Sequence, residues 1–118
     1  MLKKLIDTNI LIDRFANPDL HKDIFLSDGV VYLSSVVLME LKAGAHSKEA
    51  LKAVNELADF FRRVNRIVLP SIKDYEQAGE LIAKLQSKKG YEIKKCASLT
   101  SDCLIATAAR SIGAVVYT

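Results

Sequence analysis

Four short, largely apolar runs, Leu2–Ile6 (which holds Lys3 and Lys4), Val30–Leu33, Ile67–Leu69 and Ala114–Tyr117, recur along the chain with segments of helical periodicity between them. A run that is apolar on successive residues, rather than on every second one, has no face left for water. Such strands need cover on both sides, and the intervening helices supply it. The alternation therefore predicts an α/β fold: a parallel sheet between two helical layers, a three-layer α/β/α sandwich of Rossmann-like kind. In open sheets of this type the chemistry lies beyond the carboxyl ends of the strands. The residues that follow each run are the ones to inspect.

Local signals place the helices. Asp7-Thr8-Asn9 offers three capping residue types ahead of Ile10–Phe15, and Asn17-Pro18-Asp19 breaks that helix and opens another over about Leu20–Leu26. Ser34-Ser35 caps a helix that runs to about Ala43 and stops at Gly44, and Ser47 caps a longer one with Leu51, Val54, Ala58 and Phe61 on one face. A helix over Ile72–Lys89 carries Tyr75, Ala78, Ile82 and Leu85 on a stripe and ends at Gly90. Residues 91–100 show the least pattern. Ser101-Asp102 opens a last helix to about Ile112, closed by Gly113.

A chain of 118 residues that is half hydrophobic is expected to form one domain over 1–118 without staples. No apolar run approaches the roughly 20 residues that span a bilayer, and Met1–Asp7 is too short in its apolar part for a signal peptide. A cytoplasmic protein is the expectation. Cys96 and Cys103 form neither a disulfide framework nor a short zinc spacing, and His21 and His46 lie far from them. Both cysteines read as packing residues. The net charge is +3, concentrated in the middle of the chain at Arg62-Arg63-Arg66, Lys88-Lys89 and Lys94-Lys95. That segment is either a solvated helix face or a surface that attracts polyanions.

Three carboxylates stand where chemistry is expected. Asp7 follows the first strand directly, where it is also a good helix N-cap. Asp102 opens an almost uncharged helix, where the backbone dipole favours an acid. Glu40 is harder to explain by structure. It lies in Val36-Val37-Leu38-Met39-Glu40-Leu41, and its helical neighbours are Val36, Val37 and Gly44. A carboxylate on an apolar stripe is costly unless it is paired, binds a metal or lies on an exposed edge. If the sheet is parallel, all three acids face one rim. Clustered carboxylates repel and call for a cation, and hard oxygen donors without His or Cys suit Mg²⁺ or Mn²⁺.

The pattern Leu5-Ile6-Asp7-Thr8-Asn9, then Ser34 with Glu40-Leu41 and Gly44, then Asp102 with Leu104-Ile105-Ala106 and Ala109 before Gly113–Thr118, resembles the PIN-domain family. Within it the chain is similar to the VapC-type toxins of toxin–antitoxin pairs, and the resemblance covers residues 2–118. It implies an endoribonuclease that uses Mg²⁺ or Mn²⁺ to hydrolyse RNA phosphodiester bonds. It further implies a VapB-type antitoxin that covers the acidic site, a homodimer and no membrane association. Asp7, Glu40 and Asp102 match the metal-binding and catalytic acids. Thr8, Asn9, Ser34 and Thr118 match the polar residues around them, Thr8 and Asn9 orienting the first acid. The chain departs from the family in one respect. The family carries a fourth acid beyond the strand that here ends at Thr118, so the last strand and tail are expected to be missing and full activity is in question.

The competing reading is a catalytically impaired PIN-like module that binds RNA or protein without cutting. A phospho-acceptor receiver domain is excluded because Ile67–Leu69 is followed by Pro70-Ser71-Ile72, with no acid. A Ser/His/Asp hydrolase is excluded because neither histidine falls at a strand end. Arg14, Lys42, Lys94 and Lys95 are the candidate RNA phosphate contacts, each equally open to a solvated role. Unpaired RNA is the expected substrate class. Leu57 and Phe60, beside the core stripe of the Ser47 helix, form either a docking surface for a second copy or an antitoxin, or a wider core face.

Overall fold

The computed structural model describes residues 1–89 and 96–118. The elements are β1 (Lys3–Ile6), α1 (Thr8–Ala16), α2 (Lys22–Leu26), β2 (Val30–Ser34), α3 (Ser35–Gly44), α4 (Lys48–Arg63), β3 (Ile67–Val68), α5 (Ile72–Lys89), α6 (Cys96–Ile112) and β4 (Ala114–Tyr117). The strands form one sheet in the order β3-β2-β1-β4. All three pairings are parallel, with Leu5 opposite Tyr32 and Val116, and Ser34 opposite Val68. Consecutive residues Lys4, Leu5 and Ile6 of β1 are all buried, so both faces of the sheet are covered. This is the α/β sandwich that the alternation predicts.

The caps act as expected. Ser34 Oγ accepts from the Val36 amide at 3.1 Å, and Ser47 Oγ from Ala50 at 3.0 Å. Ser71 and Asp74 form a reciprocal capping box: Asp74 Oδ2 accepts from Ser71 N at 2.9 Å, and Ser71 Oγ accepts from Asp74 N at 3.1 Å. The core runs from Leu5, Leu33 and Val37 through Val54 and Phe61 to Ile105 and Ala108.

Three expectations are corrected. The last helix begins at Cys96, not at Ser101-Asp102, because a weakly patterned but unbroken Cys96-Ala97-Ser98-Leu99-Thr100 stretch precedes them. The stripes on α4 and α5 are narrower than their spacing suggested: Leu51 and Tyr75 are exposed, while Val54, Ala58, Phe61 and Ala78 are buried. β3 ends at Val68, leaving Leu69 exposed.

The burial of Lys4 is not apparent from its charge. Its side chain is 1% exposed and its Nζ donates to the carbonyls of Ile24 (2.7 Å) and Ser27 (3.2 Å) and to Ser27 Oγ. A cation at the carboxyl end of a helix satisfies carbonyls that the helix leaves unpaired. Lys4 thereby fastens α2 and the turn after it to β1. Gly29 makes room for this: its φ is +127°, and a Cβ there would lie 2.9 Å from both Leu2 O and Lys4 Cε.

Candidate functional site

At the carboxyl ends of β1 and β4 the chain forms a cavity of about 490 Å³ lined by Asp7, Asp102, Ile105, Ala106, Val116 and Thr118. Asp7 leaves β1 in extended backbone and caps α1, its Oδ1 accepting from Thr8 N at 2.7 Å. Its own amide donates to Tyr117 O at 3.0 Å, which locks the ends of the two strands together. Asp102 reaches the cavity from the second turn of α6. The dipole argument for an acid opening that helix therefore no longer applies, since the effect fades beyond the first turn.

Asp102 as a residue is exposed, but its carboxyl lies partly shielded by the cavity wall. That desolvation, with the negative charge of Asp7 second, raises its pKa above the ordinary aspartate range. The neighbouring thiol of buried Cys103 is likewise raised, first by burial and then by Asp102, and it stays protonated and inert. The site is thus a carboxylate pair under repulsion, edged by Ile105, Ala106 and Val116. Two adjacent carboxylates with open solvent beside them are a donor set that fits Mg²⁺, which is commonly held by one or two carboxylates and completes its shell with water.

Glu40 lies differently. It is half-buried on α3 and lines a second, mainly apolar cavity of about 460 Å³ with Ile12, Phe15, Leu41, Val54 and Glu49. Its link to the acid pair is Thr8, whose hydroxyl donates to Glu40 Oε1 at 3.1 Å. Among the described residues no three acids, histidines or cysteines group around one point as metal ligands. The structure therefore brings Asp7 and Asp102 into one pocket and places Glu40 at its side. Thr8 meets Asp7 through its backbone amide, and its hydroxyl meets Glu40. Asn9 is exposed, Ser34 is buried as the cap of α3, and Thr118 lies on the pocket rim.

Of the candidate phosphate contacts, Arg14 is engaged within the chain. Its guanidinium stacks 4.2 Å from the centroid of Phe25 and donates to Leu20 O at 3.0 Å. Lys42 is exposed on α3, two residues past Glu40. Lys94 and Lys95 lie outside the described residues. On α4, Leu57 packs against the core, whereas Phe60 is 46% exposed and meets Phe61 edge to face. Sequence reasoning missed Lys4 and the acidic partner across the apolar cavity, Glu49. The parity of β1 places Lys4 on the face of buried Ile6, and this was the signal available.

Comparison with known proteins follows the same lines. The family model of the PIN domain matches residues 4–118. Among solved structures, the chain is similar to DNA-bound VapBC from Salmonella typhimurium, with 26% identity and a TM-score of 0.65 over 98% of this chain and 85% of that one. It is similar also to VapBC2 from Rickettsia felis bound to a promoter DNA fragment, with 25% identity and a TM-score of 0.68 over 99% and 86%. The fold of VapBC-1 from nontypeable Haemophilus influenzae matches with a TM-score of 0.67 at 24% identity, over 99% and 86%. No curated protein sequence matches the chain.

Proposed function

The chain belongs to the PIN domain family, and on that premise we propose that it is a divalent-cation-dependent endoribonuclease, the toxin of a VapBC-type pair. The observation that carries the proposal is the meeting of Asp7 and Asp102 in one pocket, where the charge of one helps raise the pKa of the other. A cavity that concentrates like charge at a strand-end rim is poorly explained by stability, and a cation relieves it.

Asp7 and Asp102 would hold Mg²⁺ or Mn²⁺, with Glu40 at its side. Such an ion polarises a phosphoryl oxygen and lowers the pKa of a bound water. The chain's own contribution is placement. The Thr8 amide fixes one Asp7 oxygen, which leaves the other free to face the pocket. Ile105, Ala106 and Val116 line the pocket beside Asp102. Lys42, exposed on α3 two residues past Glu40, is the proposed contact for a phosphate of the RNA. The naming of VapBC among the similar structures supports a VapB-type antitoxin as partner.

The test is cleavage of single-stranded RNA with Mg²⁺ or Mn²⁺ by the unsubstituted chain, Asp7→Asn and Asp102→Asn. Cleavage by the first alone is expected. Equal rates in all three would remove these residues from the reaction. One observation favours a second reading, a PIN module that binds without cutting: only two carboxylates share the pocket, and Glu40 lines the cavity beside it. Tight Mn²⁺ uptake with no turnover on any RNA would select that reading.

A further inference from the structure

The chain holds four phenylalanines, and all of them meet at one place. Phe15 from α1, Phe25 from α2, and Phe60 and Phe61 from α4 line a third cavity, of about 290 Å³, together with Leu11 and Arg14. Core packing accounts for Phe61, which is buried. Phe15 and Phe60 are 42% and 46% exposed, and Phe25 is half-buried. Arg14 is the one charged residue of the lining. Its guanidinium lies 4.2 Å from the centroid of Phe25 and uses a single N–H donor within the chain, on Leu20 O. It forms no ion pair among the described residues. Rings left partly in water beside a half-buried, unpaired cation fit a ligand that is flat, apolar on its faces and anionic. An unpaired nucleotide has that chemistry: its base stacks on aromatic rings and its phosphate takes donors from a guanidinium. We infer that this cavity binds one nucleotide of single-stranded RNA, with its base among Phe15, Phe25 and Phe60 and its phosphate at Arg14.

The identity of the ligand as RNA rests on the reading of the chain as a ribonuclease, and the place of the cavity agrees with that reading. Helix α1 runs from its cap, Asp7, to Leu11 and Arg14 in the cavity wall. Arg14 therefore stands about 11 Å from Asp7 along the helix axis. At a stacked spacing of about 3.4 Å per nucleotide, that is roughly three nucleotides. The volume lies at the lower end of the roughly 300–1,000 Å³ of small-molecule sites, which suits a single ring system. An apolar side chain of a partner protein would cover the rings but leave Arg14 without an anion. On α4 the charges offset one another: Asp59 is paired with Arg62, Arg63 follows Phe61 by two residues, and Glu56 stands one turn before Phe60. The phosphate is accordingly assigned to Arg14.

Fluorescence anisotropy in EDTA, where nothing is cut, tests this with a labelled oligoadenylate and an abasic ribose-phosphate oligomer of equal length. The proteins are the full chain, Phe60→Leu and Arg14→Gln. Phe60→Leu keeps an apolar side chain and removes the ring. It is expected to weaken oligoadenylate binding about tenfold and to leave the abasic oligomer unaffected. Arg14→Gln should weaken both and lower the salt slope by about one unit. Because every phenylalanine lines the cavity, the fluorine resonances of a chain labelled with para-fluorophenylalanine should move when adenosine monophosphate is added. Unmoved resonances would overturn the inference. So would equal oligoadenylate binding by Phe60→Leu and the parent, or an equal loss on both oligomers, since the ring would then act through the fold. Loss of self-association in Phe60→Leu with RNA binding unchanged would overturn it too, and would give the cavity to a second copy. The ribonuclease reading fails separately. RNA that binds through Phe60 but is not cut with Mn²⁺ removes the nuclease and keeps the nucleotide cavity. Cutting by a chain whose RNA binding ignores Phe60→Leu removes the cavity and keeps the nuclease.

Discussion

Replacing Asp102 by Asn should reverse the order of stability between variant and parent according to whether a divalent cation is present. Consider first the metal-free chain. The folded pKa of Asp102 lies above its ordinary value, through desolvation and then the charge of Asp7. The folded state therefore holds its proton more tightly than the unfolded state does, and stability falls as pH rises from the ordinary aspartate pKa to the raised one. Above the raised pKa that loss is complete, so there Asp102→Asn, which carries no charge, is expected to unfold at a higher temperature than the parent. With Mn²⁺ the sign changes. At a free concentration a hundred times Kd, binding stabilises the parent by about 2.7 kcal/mol. For 118 residues the unfolding entropy is about 0.25 kcal/mol/K, so Tm rises by roughly 11 °C. If loss of the Asp102 carboxylate lowers affinity about a hundredfold, the same Mn²⁺ concentration stabilises the variant by only about 0.4 kcal/mol, under about 2 °C. Thermal unfolding followed by far-ultraviolet circular dichroism, with EDTA and with Mn²⁺, reads both arms. A variant less stable than the parent in EDTA above the raised pKa would refute the electrostatic account of the pocket. An equal Mn²⁺ shift in both proteins would show that the cation sits elsewhere.

Lys4→Met keeps the aliphatic stem but leaves the Ile24 and Ser27 carbonyls without their donor. It should lower stability by about 1–3 kcal/mol, read as a reduced urea midpoint, with faster amide exchange confined to α2 and the turn after it. Gly29→Ala forces a Cβ against Leu2 O at positive φ and should cost about 2 kcal/mol or more; a midpoint within error of the parent would show that the turn relaxes freely. If Lys42 meets an RNA phosphate, Lys42→Ala should reduce the salt slope of RNA binding by about one unit. An unchanged slope removes it from the interface.

The layer order and nearly all the helix ends were legible because each rests on a local rule: apolar runs for a buried parallel sheet, Ser34 and Ser47 for caps, Gly44 and Gly113 for stops. The start of α6 was not, because Cys96-Ala97-Ser98-Leu99-Thr100 has neither a cap nor a clear stripe, and Ser101-Asp102 offered a stronger local signal. That misplacement bears on function. Read as a helix-opening acid, Asp102 had a structural reason to exist; placed in the second turn of α6, it has lost that reason and keeps the cost of desolvation and, second, the repulsion of Asp7. Glu40 moved the opposite way. From sequence it was the acid least explained by structure, since its neighbours Val36 and Val37 belong to the core. In the fold it has a bland accommodation, half-buried beside an apolar cavity with a threonine hydroxyl to satisfy it.

Asp7 and Asp102 share one pocket, whereas Glu40 lines the cavity beside it and is held there by a side chain that spacing alone could not single out. A sequence pattern ranks acids by how poorly their neighbours tolerate them. It is blind to which cavity a flexible carboxylate faces, because that is decided by contacts between residues 32 positions apart, such as Thr8 and Glu40. Asp7 is held as the cap of a helix at a strand end, and Asp102 stands exposed in the second turn of α6. On the proposed reading, the two acids that share the pocket hold the cation and Glu40 stands beside it, so Mn²⁺ binding should fall further on Asp7→Asn or Asp102→Asn than on Glu40→Gln.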